Sequence, residues 1–133
     1  MTELQVSERQ QAAPLLRLLT TKAVMMQNDA EQTGCPYAAG YGEGCSLAVS
    51  CIKIQLAAKP NGAFVRAIVA LSSESSKYEV IRGFLGTYEE NPENVSAESR
   101  AILVVDGVGD ALLMARNMLE ELLFSGSVSD LKL

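Results

Sequence analysis

Gly40-Tyr41-Gly42-Glu43-Gly44-Cys45-Ser46-Leu47-Ala48-Val49-Ser50-Cys51-Ile52-Lys53-Ile54-Gln55-Leu56-Ala57 joins a glycine-dense segment to an alternating one. Residues 30–45 hold four glycines and Pro36, a composition that predicts a loop. Gly40, Gly42 and Gly44 precede Cys45 directly, and glycine permits positive φ and close backbone approach. From residue 47 to 57 the alternation predicts a strand. Ala48, Ser50, Ile52, Ile54 and Leu56 fall on one face, Lys53 and Gln55 on the other. Lys59-Pro60-Asn61-Gly62 then predicts a tight hairpin turn, because Asn-Gly tolerates left-handed conformations. Residues 64–71, apolar except near Arg66, predict a second strand. Residues 72–76 predict a polar turn and 78–88 a third strand, with Gly83 and Gly86 marking a bulge.

Helices flank these strands. Ser7 is a candidate N-cap for a helix over residues 7–29, with Pro14 suited to the first turn of its main part. Leu15, Leu16, Leu18, Leu19, Val24 and Met25 supply its apolar face. Residues 91–99 predict a loop, and residues 102–105 a short strand or extended segment. A closing helix starts at Gly109 or Asp110, buries Leu112, Leu113, Ala115, Met118, Leu119, Leu122 and Leu123, and stops at Gly126. The expected architecture is a single α+β domain over residues 1–133. It is a two-layer sandwich, a three-stranded antiparallel sheet with helices packed on one face, in the order α-β-β-β-α. The uncovered sheet face is then the expected seat of a homodimer contact or a protein partner.

Composition narrows the chemistry. The chain has 133 residues, 48% hydrophobic and 20% charged, which suits one globular domain. Eleven basic against sixteen acidic residues give a net charge of −5. The basic residues are scattered, which disfavours nucleic acid, and the acidic balance disfavours anionic membranes. No apolar run is long enough for a transmembrane helix. The start of the chain shows no signal peptide, so a cytoplasmic setting with reduced thiols is expected. Histidine is absent, removing the usual general base and the commonest metal ligand. The spacing of Cys35, Cys45 and Cys51 matches no zinc pattern. No metal site and no catalytic residue are expected.

Gly42-Glu43-Gly44-Cys45 places a thiol at the mouth of a glycine loop, where an accessible sulfur becomes a nucleophile or attachment point. A Gly-x-Gly-Cys opening a strand, a hairpin, a third strand ending near Ile81-Arg82-Gly83, and a closing helix together resemble the C-terminal domain of porphobilinogen deaminase (hydroxymethylbilane synthase). Met118-Leu119-Glu120-Glu121-Leu122-Leu123-Phe124-Ser125-Gly126 is similar to that domain's closing helix. The resemblance is strongest over residues 42–133. It implies a stand-alone or fragmentary domain of tetrapyrrole biosynthesis, lacking the catalytic domains. It further implies that Cys45 holds a dipyrromethane cofactor through a thioether, with Gly42 and Gly44 keeping the loop compact around it. Transferase activity would require the missing domains.

Two other readings stand beside this one. The acidic charge and absent histidine suit a non-catalytic protein-interaction module. A glycine-flanked cysteine also suits a sulfur acceptor, with a persulfide on Cys45 and Cys35 or Cys51 as the resolving thiol.

Overall fold

A computed structural model describes residues 8–59, 61–85 and 97–125. Four helices account for nearly all of them: α1 (Glu8–Thr33), α2 (Pro36–Ala58), α3 (Ala63–Leu85) and α4 (Ala97–Ser125). No strand occurs among the described residues. The expected α+β sandwich is therefore corrected to an all-helical bundle, and the described residues form no sheet face to seat a partner.

Each expected strand became helix for an identifiable reason. Ala48, Ile52 and Leu56 are buried at a spacing of four, which fits both a strand face and a helix face. Ser50 and Ile54 discriminate between the two, and both are exposed. In α3 the buried set is Ala63, Phe64, Ala67 and Leu71, spaced by three and four as on one helix face, while Val65 and Val69 face solvent. Residues 72–76, where a polar turn is expected, continue the same helix. Ser76 donates its hydroxyl to the Ser72 carbonyl at 3.0 Å, satisfying it within the helix. Residues 102–105, expected to be extended, lie inside α4, which begins well before the expected cap at Gly109 or Asp110. The sites at Ser7, Gly86 and Gly126 lie outside the described residues.

The connections are short and chemically specified. Gly34, at φ 72°, ends α1 and donates its N–H to the Ala30 carbonyl at 2.7 Å. Cys35 is extended, and Pro36 opens α2, where its missing N–H costs nothing. Gly62, at φ 76°, lies in the turn before α3. The Asn61-Gly62 turn signal was sound, but it joins two helices rather than two strands. Pro14 sits inside α1 rather than opening it, because the helix already begins at Glu8. The Glu8 carboxylate accepts from the backbone N–H of Ala63 at 2.7 Å and of Phe64 at 3.4 Å. An anion there satisfies two of the free donors at the start of α3.

Arg66 seals the other end of the same corner. Its guanidinium donates to the carbonyls of Asn61 at 2.8 Å, Gln55 at 3.2 Å and Lys59, and to the Gln55 side chain at 3.2 Å. The Gln55 carbonyl also accepts from the Lys59 N–H at 3.2 Å, and the Lys59 and Asn61 carbonyls lie in the connection just beyond α2, so Arg66 ties the end of that helix to the turn. Arg66→Ala is expected to lower stability by about 1–2 kcal/mol. Chemical denaturation should show a shifted midpoint at unchanged slope, and Arg66→Lys should recover only part of it, since one ammonium cannot span the fork.

Consecutive helices run in opposite directions. The most extensive contact is nevertheless between α2 and α4, which run parallel. Helix α1 packs mainly on α2 and α3 mainly on α4. The four meet in one core at the end where α1 starts and α2 finishes. Leu15, Leu18, Leu19, Ile52, Leu56, Phe64, Leu71, Leu112, Leu119 and Leu122 supply its bulk. Burial of each large side chain is worth roughly 1.5–3 kcal/mol. Some residues expected in the core are outside it: Val24 and Met25 on α1 are exposed, as are Leu113 and Leu123 on α4. Their stripes are narrower than the apolar content suggests.

Candidate functional site

The glycine segment is helix, and its glycines form a seam. A Cβ on Gly40 would collide with the Val104 carbonyl oxygen and lie 2.8 Å from the Val104 carbonyl carbon and Cα. A Cβ on Gly44 would lie 2.7 Å from the Ala111 side chain and the Val108 oxygen. From the α4 side, a Cβ on Gly107 would collide with the Tyr37 carbonyl oxygen and lie 2.7 Å from the Tyr41 nitrogen. Gly40 and Gly44, four apart, thus lie on one face of α2 and let α4 approach to backbone contact. Gly42 points elsewhere, to α1, where Ala23 and Gln27 leave 3.0–3.1 Å. The glycines do keep backbone close to something, as expected, but that something is two neighbouring helices.

Cys45 lies beside this seam, packed with Ala23 of α1 and Ala111 of α4, at 0% exposure. Burial pushes its thiol up to about 11, and Lys22 counters only part of the shift. The sulfur is protonated at neutral pH and closed to a bulky pyrrole or a sulfur donor. Cys35, at the start of α2, and Cys51 are half-buried, and all three are free thiols. Burial also raises Cys51, Glu74 adding to the shift and Lys77 opposing it.

Sequence reasoning missed a polar row on the same helices. Tyr37, Tyr41 and Cys45 recur every fourth residue along α2. Tyr37 donates to Asp110 at 2.6 Å and Tyr41 to the Met114 sulfur at 3.2 Å. Burial and the Asp110 carboxylate hold the Tyr37 phenol well above its usual value, and burial raises Tyr41. Beyond them a groove of about 130 Å³ runs between α3 and α4. Arg82 and Asp106 lie along it, joined at 2.9 Å. These charges are matched to one another, which holds α3 to α4. Among the described residues no group of three or more His, Cys, Asp or Glu is placed to hold a metal ion. No helix there is long and apolar enough to cross a membrane.

The exposed face of α3 was missed as well. Val65 (51% exposed), Val69 (63%), Val80 (60%) and Phe84 (87%) lie on the side of α3 turned away from Phe64, Ala67 and Leu71. Exposed Ser73 and Ser76 fill the middle of the row. The signal was present as apolar residues four apart, visible only once 63–85 is read as a single helix. No family model, curated protein or solved structure matches the chain.

Proposed function

We propose that this chain is a non-catalytic protein-interaction module, and that the outer face of α3 is its contact surface. The observation that carries this reading is a row uncharged along nearly the whole helix, with apolar Val65 and Val69 at one end, Val80 and Phe84 at the other and Ser73 and Ser76 between them. Single exposed apolar residues are ordinary, but a continuous row rimmed by polar groups marks a place where another surface sits. Exposed aromatic side chains such as Phe84 are common anchors of such contacts. The readings in which Cys45 carries a dipyrromethane or a persulfide need a thiol that reaches solvent, and burial of this sulfur lends them no support. The module is assigned to the cytoplasm, where its three free cysteines stay reduced.

A photo-crosslinking amino acid at Val69, compared with one at exposed Asn117 on α4, tests the reading in cells. Discrete protein adducts are expected from position 69 and not from 117. Labelling that is equal at both positions, or absent from 69, would refute it.

A further inference from the structure

The outer face of α3 has a symmetry of its own. Its exposed residues Val65, Val69, Ser73, Ser76, Val80 and Phe84 follow one another at steps of four, four, three, four and four. Val65 and Phe84, Val69 and Val80, and Ser73 and Ser76 lie equally far either side of the midpoint between Glu74 and Ser75. A two-fold axis through that midpoint would set an antiparallel second α3 so that each valine meets an apolar side chain. The small serines would face each other at the centre, where helices approach most closely.

We infer that this face pairs with its own copy, as an antiparallel α3–α3 contact in a two-fold dimer. The inference rests on the interaction-module reading and names the partner. Self-complementarity is what a two-fold interface demands, since one patch must fit itself. The charges agree. In this register Arg66 lies opposite Gly83, Glu74 opposite Ser75, Lys77 opposite Ser72, Glu79 opposite Ala70 and Arg82 opposite Ala67. No charge on α3 meets its like. A parallel pair in register would set Lys77 on Lys77 and Glu79 on Glu79, which is repulsive. For a chain of net charge −5, an uncharged face is also where two copies meet with least repulsion.

Sedimentation of the purified full chain, from about 10 to about 300 µM, should show a concentration-dependent dimer. Val69→Glu and Val80→Glu should each weaken it at least about 30-fold. Both sites are more than half exposed, so helicity should not change, and neither should the unfolding midpoint measured at a dilution where the wild type is monomeric. Val24→Glu, on exposed α1 surface, should remain dimeric. Direction is read by mixing Ser73→Cys protein with Ser76→Cys protein of different tag mass, both carrying Cys35→Ser and Cys51→Ser. Oxidation should link the two variants to each other in preference to like with like. A monomer throughout the range, a dimer indifferent to both glutamates, or like-with-like linkage would overturn the inference. If the purified chain is monomeric while Val69 crosslinks to a different protein, self-pairing fails and the module reading survives. If no adduct forms either, both fail.

Discussion

Gly40→Ala is expected to destabilise the bundle by about 2 kcal/mol or more, although alanine is the better helix former. An added methyl meets the backbone of Val104, with the carbonyl carbon and Cα at 2.8 Å. Backbone cannot rotate away as a side-chain tip can, so α2 and α4 must separate along the seam. The propensity gain of about 0.5–1 kcal/mol offsets only part of that. Gly107→Ala should behave alike from the other side, against the Tyr41 nitrogen at 2.7 Å and the Gly40 carbonyl carbon at 3.1 Å. Gly109→Ala should do the opposite. Nothing lies within 4 Å of its added carbon, so the propensity term stands alone and stability rises by about 0.5–1 kcal/mol. Two identical substitutions two residues apart on α4 thus differ in sign. Denaturant midpoints of the three variants measure this directly, and stabilisation at positions 40 and 107 would disprove a backbone seam.

Alkaline solution is expected to unfold the protein through its buried thiol. Cys45 moves from an ordinary value of 9.0 to about 11 on folding. Below pH 9 both states keep the proton, and the group gives stability no pH dependence. Between pH 9 and about 11 the unfolded chain has lost the proton while the folded chain holds it. Raising pH there favours unfolding by about 1.4 kcal/mol per unit, roughly 2–3 kcal/mol in all. Tyr37, Tyr41 and Cys51 are also raised on folding and act with the same sign. Cys45→Ala should therefore flatten the fall in stability between pH 9 and 11 without abolishing it. At pH 8, alkylation of Cys45 in the folded protein should be about 100-fold slower than in denaturant, with Cys35 and Cys51 modified first. Rapid labelling of Cys45 without unfolding would return it to the list of accessible nucleophiles.

The ends of the fold were easier to read than its middle. The amphipathic stripe from Leu112 to Leu122 and the core positions Leu15, Leu18 and Leu19 sit on helices where the sequence places helices. Between them the sequence offers misleading cues. Three glycines in five residues ordinarily break a helix, each costing up to about 1 kcal/mol relative to alanine. Here Gly40 and Gly44 form a contact that any side chain would block, and that tertiary gain outweighs local preference. Nothing within residues 40–45 names the partner, because Gly107 and Ala111 lie in a distant part of the chain. The alternation over 47–57 misled differently. Positions 48, 52 and 56 satisfy two periods at once, so the alternation over this stretch fits a strand face as well as a helix face. At the candidate site, the flanking glycines suggest a thiol at a loop mouth, and the helix that carries Cys45 puts it in the interior. The α3 face was hidden by splitting one helix into two strands and a turn.

The seam also limits how the molecule can move. Where side chains interdigitate, one helix can ratchet past another by exchanging rotamers and settling a turn further on. Where backbone lies on backbone, no such intermediate exists. A one-turn slide of α4 along α2 would drive side chains into the main chain at Tyr37 and Gly40, where only Gly107 fits. Helices α2 and α4 therefore act as one spine, with α1 and α3 packed against it on smaller contacts. A response to a partner on α3 can tilt that helix against the spine, but it cannot travel by sliding along it.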